Sequence, residues 1–193
     1  MDRGRFFITT PIFYANSAPH IGHANAIIAA DILARYWKNR GAEVFFLTGT
    51  DEHGAKVAQA AAEKNMQPKA FVEKVSLQYK AAWSFLNIEY DNFIRTTESY
   101  HEKFVQEFLQ KLYDNGDIYK DKYSGLYCVA CEEYKIKKEL LPGDICPIHK
   151  TKCQKVFEEI YFFKLSKYQN QIMEAIQSKK LVIEPEKRKN EVY

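Results

Sequence analysis

The sequence has no long apolar run. No stretch of its 193 residues approaches the roughly 18 consecutive apolar residues that a helix needs to cross a bilayer. The start, Met1-Asp2-Arg3-Gly4-Arg5, has no apolar h-region of a secretory signal. A membrane role is therefore excluded as an expectation, and a cytoplasmic location is expected. Internal repeats and low-complexity segments are also missing, which removes solenoid and disordered classes. Strong charge is absent too, since the net charge is only +3. It is uneven: residues 1 to 116 carry 13 Lys and Arg against 13 Asp and Glu, whereas residues 117 to 193 carry 15 against 12. Cysteine is scarce, with four residues that all fall between 128 and 153. What is present, 46% hydrophobic and 15% aromatic content, suffices for a core of one full domain or one and a half.

The most informative residues are Asn16-Ser17-Ala18-Pro19-His20-Ile21-Gly22-His23. Phe6-Phe7-Ile8 reads as a buried parallel strand, Thr9 to Asn16 as the loop at its carboxyl end, and His20 through Ala34 as the following helix. Ligands of open α/β sheets bind at that edge. A helix start offers free N–H groups and the positive end of the dipole, which favour phosphate. Gly22 has no Cβ to block close approach, and two imidazoles three residues apart share one face. His20 and His23 could also be a surface pair near a helix start; spacing alone does not separate the two readings.

Arg40-Gly41 reads as a helix stop, and Val44-Phe45-Phe46-Leu47 as a second buried strand running into the loop Thr48-Gly49-Thr50-Asp51-Glu52-His53-Gly54. Strand, helix, strand units are almost always right-handed and parallel, so this loop opens on the same edge as the H-x-G-H quartet. Helices are expected at about Lys56 to Lys64, Pro68 to Leu86 and Glu98 to Asp114, the last stopped by Asn115-Gly116. Beyond it the texture changes to short β-like pieces, Ile118 to Tyr123 and Leu126 to Cys128, with a helix resuming near Lys164 to Gln177. A domain boundary is expected at about residue 117, giving a nucleotide- and amino-acid-binding half-domain over 1 to 116 and an insertion over 117 to 193. His101, on its helix, reads as a surface residue without partners.

Cys128-x-x-Cys131 is followed after fourteen residues by Cys146-x-x-His149. Each short turn aims two ligands at one point, and two turns complete a tetrahedron of three thiolates and one imidazole. The spacing predicts a zinc knuckle over about residues 126 to 156 with one zinc ion on Cys128, Cys131, Cys146 and His149. Four protein ligands leave no open position, which makes the site structural. Cys153 competes with His149 as fourth ligand, and a disulfide framework is the other reading of the cysteines. Lys135, Lys137, Lys138, Lys150, Lys152 and Lys155 surround the knuckle, where they suit a phosphate backbone or a solvated face.

The quartet resembles the H-I-G-H motif of class I aminoacyl-tRNA synthetases, although H-x-G-H also occurs in nucleotidylyltransferases. Within that class the chain resembles methionyl-tRNA synthetases along its whole length. The matching pieces are Thr9 through Asn16, Pro19 through His23, Thr48 through Gly54, Phe93-Ile94-Arg95-Thr96-Thr97, the knuckle, and Tyr161-Phe162-Phe163-Lys164-Leu165. The resemblance implies an α/β fold, the first half of a Rossmann-like parallel sheet with helices on both faces, plus a small zinc-knuckle insertion domain. It implies attack of methionine's carboxylate on the α-phosphate of ATP, with Mg, and passage of the methionyl group to tRNA(Met). His20 and His23 would be catalytic donors to phosphate. Asn16, His20, Gly22 and His23 would bind ATP. Asp51 would take methionine's ammonium, and Pro11, Ile12 and Tyr14 would wall the thioether. Glu52 and His53 could simply order their turn.

The K-M-S-K-S loop and the helical anticodon-binding domain of that family find no counterpart here. The expectation is a chain that needs the missing C-terminal half of the synthetase as a partner for activity. Two alternatives come from other classes: a non-catalytic, synthetase-like zinc module that binds RNA or protein, and an H-x-G-H nucleotidylyltransferase.

Overall fold

The computed structural model of the protein describes residues 4–192; Met1 to Arg3 of the N-terminal stretch and Tyr193 lie outside the described residues. Backbone contacts divide the chain between Gln106 and Glu107. The first unit is built on a parallel sheet. β1 (Arg5–Thr9) pairs with β3 (Glu43–Asp51) from Arg5↔Glu43 to Thr9↔Leu47. A two-residue strand, β2 (Phe13–Tyr14), pairs with Thr50 and Asp51 further along β3. On the other side β4 (Asn92–Arg95) pairs with Leu47 through Thr50. β1 and β2 are thus two pieces of one edge, and the span from Thr9 to Phe13 carries one residue more than the β3 span it faces, Leu47 to Thr50. An extra residue of this kind bends a strand and re-aims its side chains, here at the carboxyl end of the sheet.

α1 (Ile21–Asn39) links β1–β2 to β3, and its stop is the one expected: Arg40 caps it and Gly41 adopts φ 84°. α2 (Ala55–Glu63) and α3 (Pro68–Phe85) follow, α3 beginning on a proline whose missing N–H costs nothing at a first turn. Phe13, Ile27, Phe46, Val57, Val72, Tyr79 and Trp83 form one buried cluster that joins β2, β3 and the three helices. The strands are not buried on both faces as their unbroken apolar runs suggest. Phe46, Thr48 and Thr50 are fully buried, whereas Phe7 and Phe45 stack on each other at 5.8 Å on the opposite face and stay 64% and 46% exposed. The sequence also places Thr48 to Asp51 in a loop. They are strand, because β2 and β4 supply ladder partners on both sides.

α4 (Ser99–Asp114) runs through the division and ends at Gly116, φ 71°, with Asp117 N–H donating to Leu112 O. That six-to-one bond is what a glycine just past a helix end permits. The second unit contains β5 (Ile118–Cys128), β6 (Glu133–Lys135) and β7 (Gln154–Phe163) in one antiparallel sheet with β5 in the middle. The expected break at Ser124-Gly125 does not occur. Gly125 stays in the strand because a Cβ there would stand 2.8 Å from the Tyr134 ring, so the glycine lets Tyr123 and Tyr134 meet edge to face at 4.5 Å. A 3-10 turn over Leu165–Tyr168 precedes α5 (Gln169–Gln177) in place of one helix from Lys164. No helix among the described residues is long and apolar enough to cross a membrane.

Candidate functional site

Two backbone endings meet at the carboxyl edge of the parallel sheet. His20 is the cap of α1 with extended backbone rather than its first helical residue. Its Nδ1 accepts the Gly22 N–H at 3.1 Å, and Nδ1 of His23 accepts the His20 N–H at 3.2 Å. Two of the donors left free by the helix start are thereby satisfied by imidazoles. A backbone N–H can only donate, so both Nδ1 atoms are unprotonated and both neutral rings carry their proton on Nε2. Gly22 makes this possible: a Cβ would lie 2.9 Å from Cε1 of His20. The two rings stack with centroids 3.7 Å apart. Burial first, and the neighbouring His20 second, hold the His23 imidazole below its ordinary value. The pair thus offers two neutral N–H donors beside a helix N-terminus, a combination suited to an anion.

Tyr14 and Asp51 face each other across the β2–β3 ladder, and Ala15 N–H donates to Asp51 O at 2.8 Å. Both side chains are half-buried. Gly54 closes this corner. It adopts φ 111°, and a Cβ there would meet the Tyr14 hydroxyl at 2.7 Å. Asn16 is half-buried in the turn that follows β2. Pro11 and Ile12 are exposed, and Thr10 donates to Pro11 O at 2.9 Å; the ladder brings Tyr14 and Asp51 together, while Pro11 and Ile12 precede the paired residues of β2.

Sequence reasoning underrated Glu52. Its fully buried carboxylate accepts from Thr50 Oγ1 at 2.7 Å, from Arg95 Nε at 2.7 Å and Nη2 at 3.1 Å, and from the Thr97 hydroxyl. Its N–H donates to Thr96 Oγ1 at 2.9 Å. The carboxylate is therefore a brace that ties the end of β3 to the end of β4, next to Asp51. His53 Nε2 and His101 Nδ1 both lie 3.2 Å from Thr96 O. His101, expected to have no partner, is half-buried on that carbonyl. Arg95, Thr96 and Thr97 were visible only as a resembling string; pairing of distant strand ends leaves no periodic signal.

In the second unit the ligand atoms of Cys128, Cys131, Cys146 and His149 all lie within 4.8 Å of one another. Cys131 Sγ stands 3.5 Å from Cys146 Sγ and 3.2 Å from His149 Nδ1. The two turns are built alike. Each is followed by a residue in the left-handed region, Glu132 and Lys150, both at φ 55°. In each, the first sulfur accepts the backbone N–H of the partner three residues on, Cys131 for Cys128 and His149 for Cys146, which draws both thiols below their usual range and Cys128 to about 7. Burial and the neighbouring thiols push Cys131 up to about 12. His149 thus occupies the place in its turn that Cys131 occupies in the other. Cys153 is buried beside Cys128 and Cys146 but lies outside the four-atom cluster, and none of the four cysteines is in a disulfide.

The family described as tRNA synthetases class I (M) matches residues 6–156. The chain belongs to this family. The matched span includes the histidine pair at the start of α1 and the end of β3. Among relatives, the methionine–tRNA ligase of Clostridium perfringens is 48% identical over 192 residues, covering 100% of this chain and 30% of that protein. The methionine–tRNA ligase of Streptomyces coelicolor is 45% identical, covering 97% and 36%. The methionyl-tRNA synthetase of Mycobacterium tuberculosis, solved in complex with methionyl-adenylate, superposes with a TM-score of 0.88 at 38% identity, covering 97% of this chain and 37% of that one. The chain therefore spans about a third of the length of the curated relatives it matches.

Proposed function

We propose that the chain carries the ATP- and methionine-binding part of a methionine–tRNA ligase. The observation that supports this most is the histidine pair, with two Nε2–H donors stacked at the α1 start on the same sheet edge as Asp51 and Tyr14. In the reaction, a carboxylate oxygen of methionine attacks the α-phosphorus of ATP, the bond to the bridging oxygen breaks, and methionyl-adenylate and pyrophosphate result. Charge builds on phosphate oxygens, and fixed donors there lower the barrier without reorganising. His20 and His23 would supply such donors through Nε2, since each Nδ1 already accepts a backbone N–H. Asn16 and Gly22 would lie along the nucleotide.

Asp51 would pair with the ammonium of methionine, and Tyr14, whose hydroxyl has room only because residue 54 is a glycine, would meet the side chain, with Pro11 and Ile12 as further wall. A half-buried ion pair favours an α-amino acid over an acid lacking the amine. Transfer of the methionyl group to tRNA(Met), Mg as companion of ATP, and the remaining part of a synthetase as partner belong to the same proposal, as does a cytoplasmic location, where thiolate ligands stay reduced.

Cys128, Cys131, Cys146 and His149 would hold one zinc ion. The group fits, since four soft and borderline donors converge within 4.8 Å with N–H groups directed at two sulfurs. Zinc would supply a crosslink between the two turns and no chemistry.

The test is methionine-dependent ATP–pyrophosphate exchange in a synthetase that carries this chain. His20→Ala and His23→Ala should each lower the rate about 10²- to 10³-fold with the methionine KM nearly unchanged. Equal losses in binding and turnover would assign the pair a structural role instead.

A further inference from the structure

α3 turns Phe71, Val72, Val75, Ser76, Tyr79 and Trp83 toward the core. Among them Tyr79 is fully buried, its ring parallel to Phe13 at 5.5 Å and edge-on to Trp83 at 5.7 Å. Packing alone asks for a phenylalanine there, because a hydroxyl taken out of water costs free energy unless it is hydrogen-bonded. The hydroxyl does have a partner, and it is the α1 histidine: Tyr79 Oη lies 3.1 Å from Nδ1 of His23. This nitrogen already accepts the His20 N–H, so the phenol is the donor. Burial pushes the phenol up to about 12, which keeps it a donor throughout the physiological range.

The two bonds to Nδ1 differ in what they rest on. The one from His20 comes from an exposed residue at a helix start, where helices fray. The one from Tyr79 comes from the packed centre of the unit, and Phe13 of β2 contacts both rings, His23 at 5.2 Å and Tyr79 at 5.5 Å. We propose that Tyr79 is a positioning residue for His23: its buried hydroxyl, donating to Nδ1, anchors the imidazole to the core and keeps its proton on Nε2, the nitrogen left to meet a phosphate oxygen. This rests on the reading of His23 as a phosphate donor. Among the described residues, the titratable groups in contact with the ring are His20 from the turn before α1 and Tyr79 from α3; Phe13 from β2 carries no charge.

Tyr79→Phe removes one oxygen and keeps the ring. In this chain with ¹⁵N-labelled histidines, His23 should show the Nε2–H tautomer, and Tyr79→Phe should bring in the Nδ1–H form. Loss of a bond to the neutral ring should also raise the apparent pKa of His23, by roughly half a unit to one unit for a bond of ordinary strength. His20 serves as internal control, and a melting curve verifies that the variant folds. In a synthetase that carries this chain, Tyr79→Phe should lower the exchange rate about tenfold, move its acid limb to higher pH and leave the methionine KM alone. In a His23→Ala background the same substitution should have no further effect. An unchanged His23 tautomer and pKa in folded Tyr79→Phe would overturn the proposal, as would an equal rate loss with and without His23. A wild-type exchange rate in His23→Ala, with the tautomer still responding to Tyr79→Phe, would instead overturn the reading of His23 as a phosphate donor.

Discussion

At the scale of single residues, the site is set by who accepts from whom. His23 sits below its ordinary value of 6.5 because burial and His20 both disfavour its charged form. A histidine lowered in the folded state contributes stability that is present above the unfolded value and is lost as pH falls through the folded one. Protonation at Nδ1 would also set an N–H against the His20 N–H and the Tyr79 hydroxyl. The His20 amide, whose N–H donates to that nitrogen, should therefore exchange faster, relative to amides of α3, as pH is lowered from about 7 to about 5, after correction for intrinsic rates. No change in relative protection would mean that the cap does not depend on neutral His23. Glu52 and Arg95 are the other pair at this scale, with side chains 0% and 17% exposed. Arg95→Met would leave a buried carboxylate with only hydroxyl donors, and should cost roughly 3 kcal/mol in urea unfolding. A loss below about 1 kcal/mol, the range of surface pairs, would show that the brace is not desolvated.

At the scale of elements, the knuckle is two turns that need each other. β5 leads into Cys128, β6 leaves after Cys131, and the second turn is pinned by bridges between Leu141 and Ile145 and between Ile145 and Lys152. Few apolar groups pack there beyond Leu126, Ala130 and Leu140 around the sulfurs, so metal should carry much of the local stability. One zinc per chain is expected by elemental analysis. Cys146→Ser should lose it and loosen residues 118 to 156, whereas Cys153→Ser should keep it. Zinc lost in the Cys153 variant and retained in His149→Ala would exchange the fourth ligand.

At the scale of the whole molecule, the uncovered face of the parallel sheet matters most. Phe7 and Phe45 stack on each other there at an exposure that solvated strands rarely keep, and Ile21 and Ile32 of α1 are also exposed. Apolar surface of this kind marks an interaction site. The chain by itself should bind an apolar dye and self-associate with rising concentration in sedimentation. A dye-negative monomer at high concentration would show that the face is covered within the chain.

Elements with local signals were legible in the order of residues alone. Periodicity and stop residues marked α1 to α4, and Gly41 and Gly116 end their helices where expected because each takes a positive φ that side chains resist. Ligand spacing marked the knuckle, since both turns close within four residues. Whatever depends on distant pairing came from the folded chain. It extended β3 through Asp51 by giving it β2 and β4 as neighbours, joined Glu52 to Arg95 and Thr97 across more than forty positions, and moved His101 from the surface onto Thr96. It also gave Tyr79 a second task. In sequence that residue is one more aromatic on the core face of a helix, and nothing local tells a phenol that fills space from one that holds a histidine, because the nitrogen it meets arrives from 56 residues away.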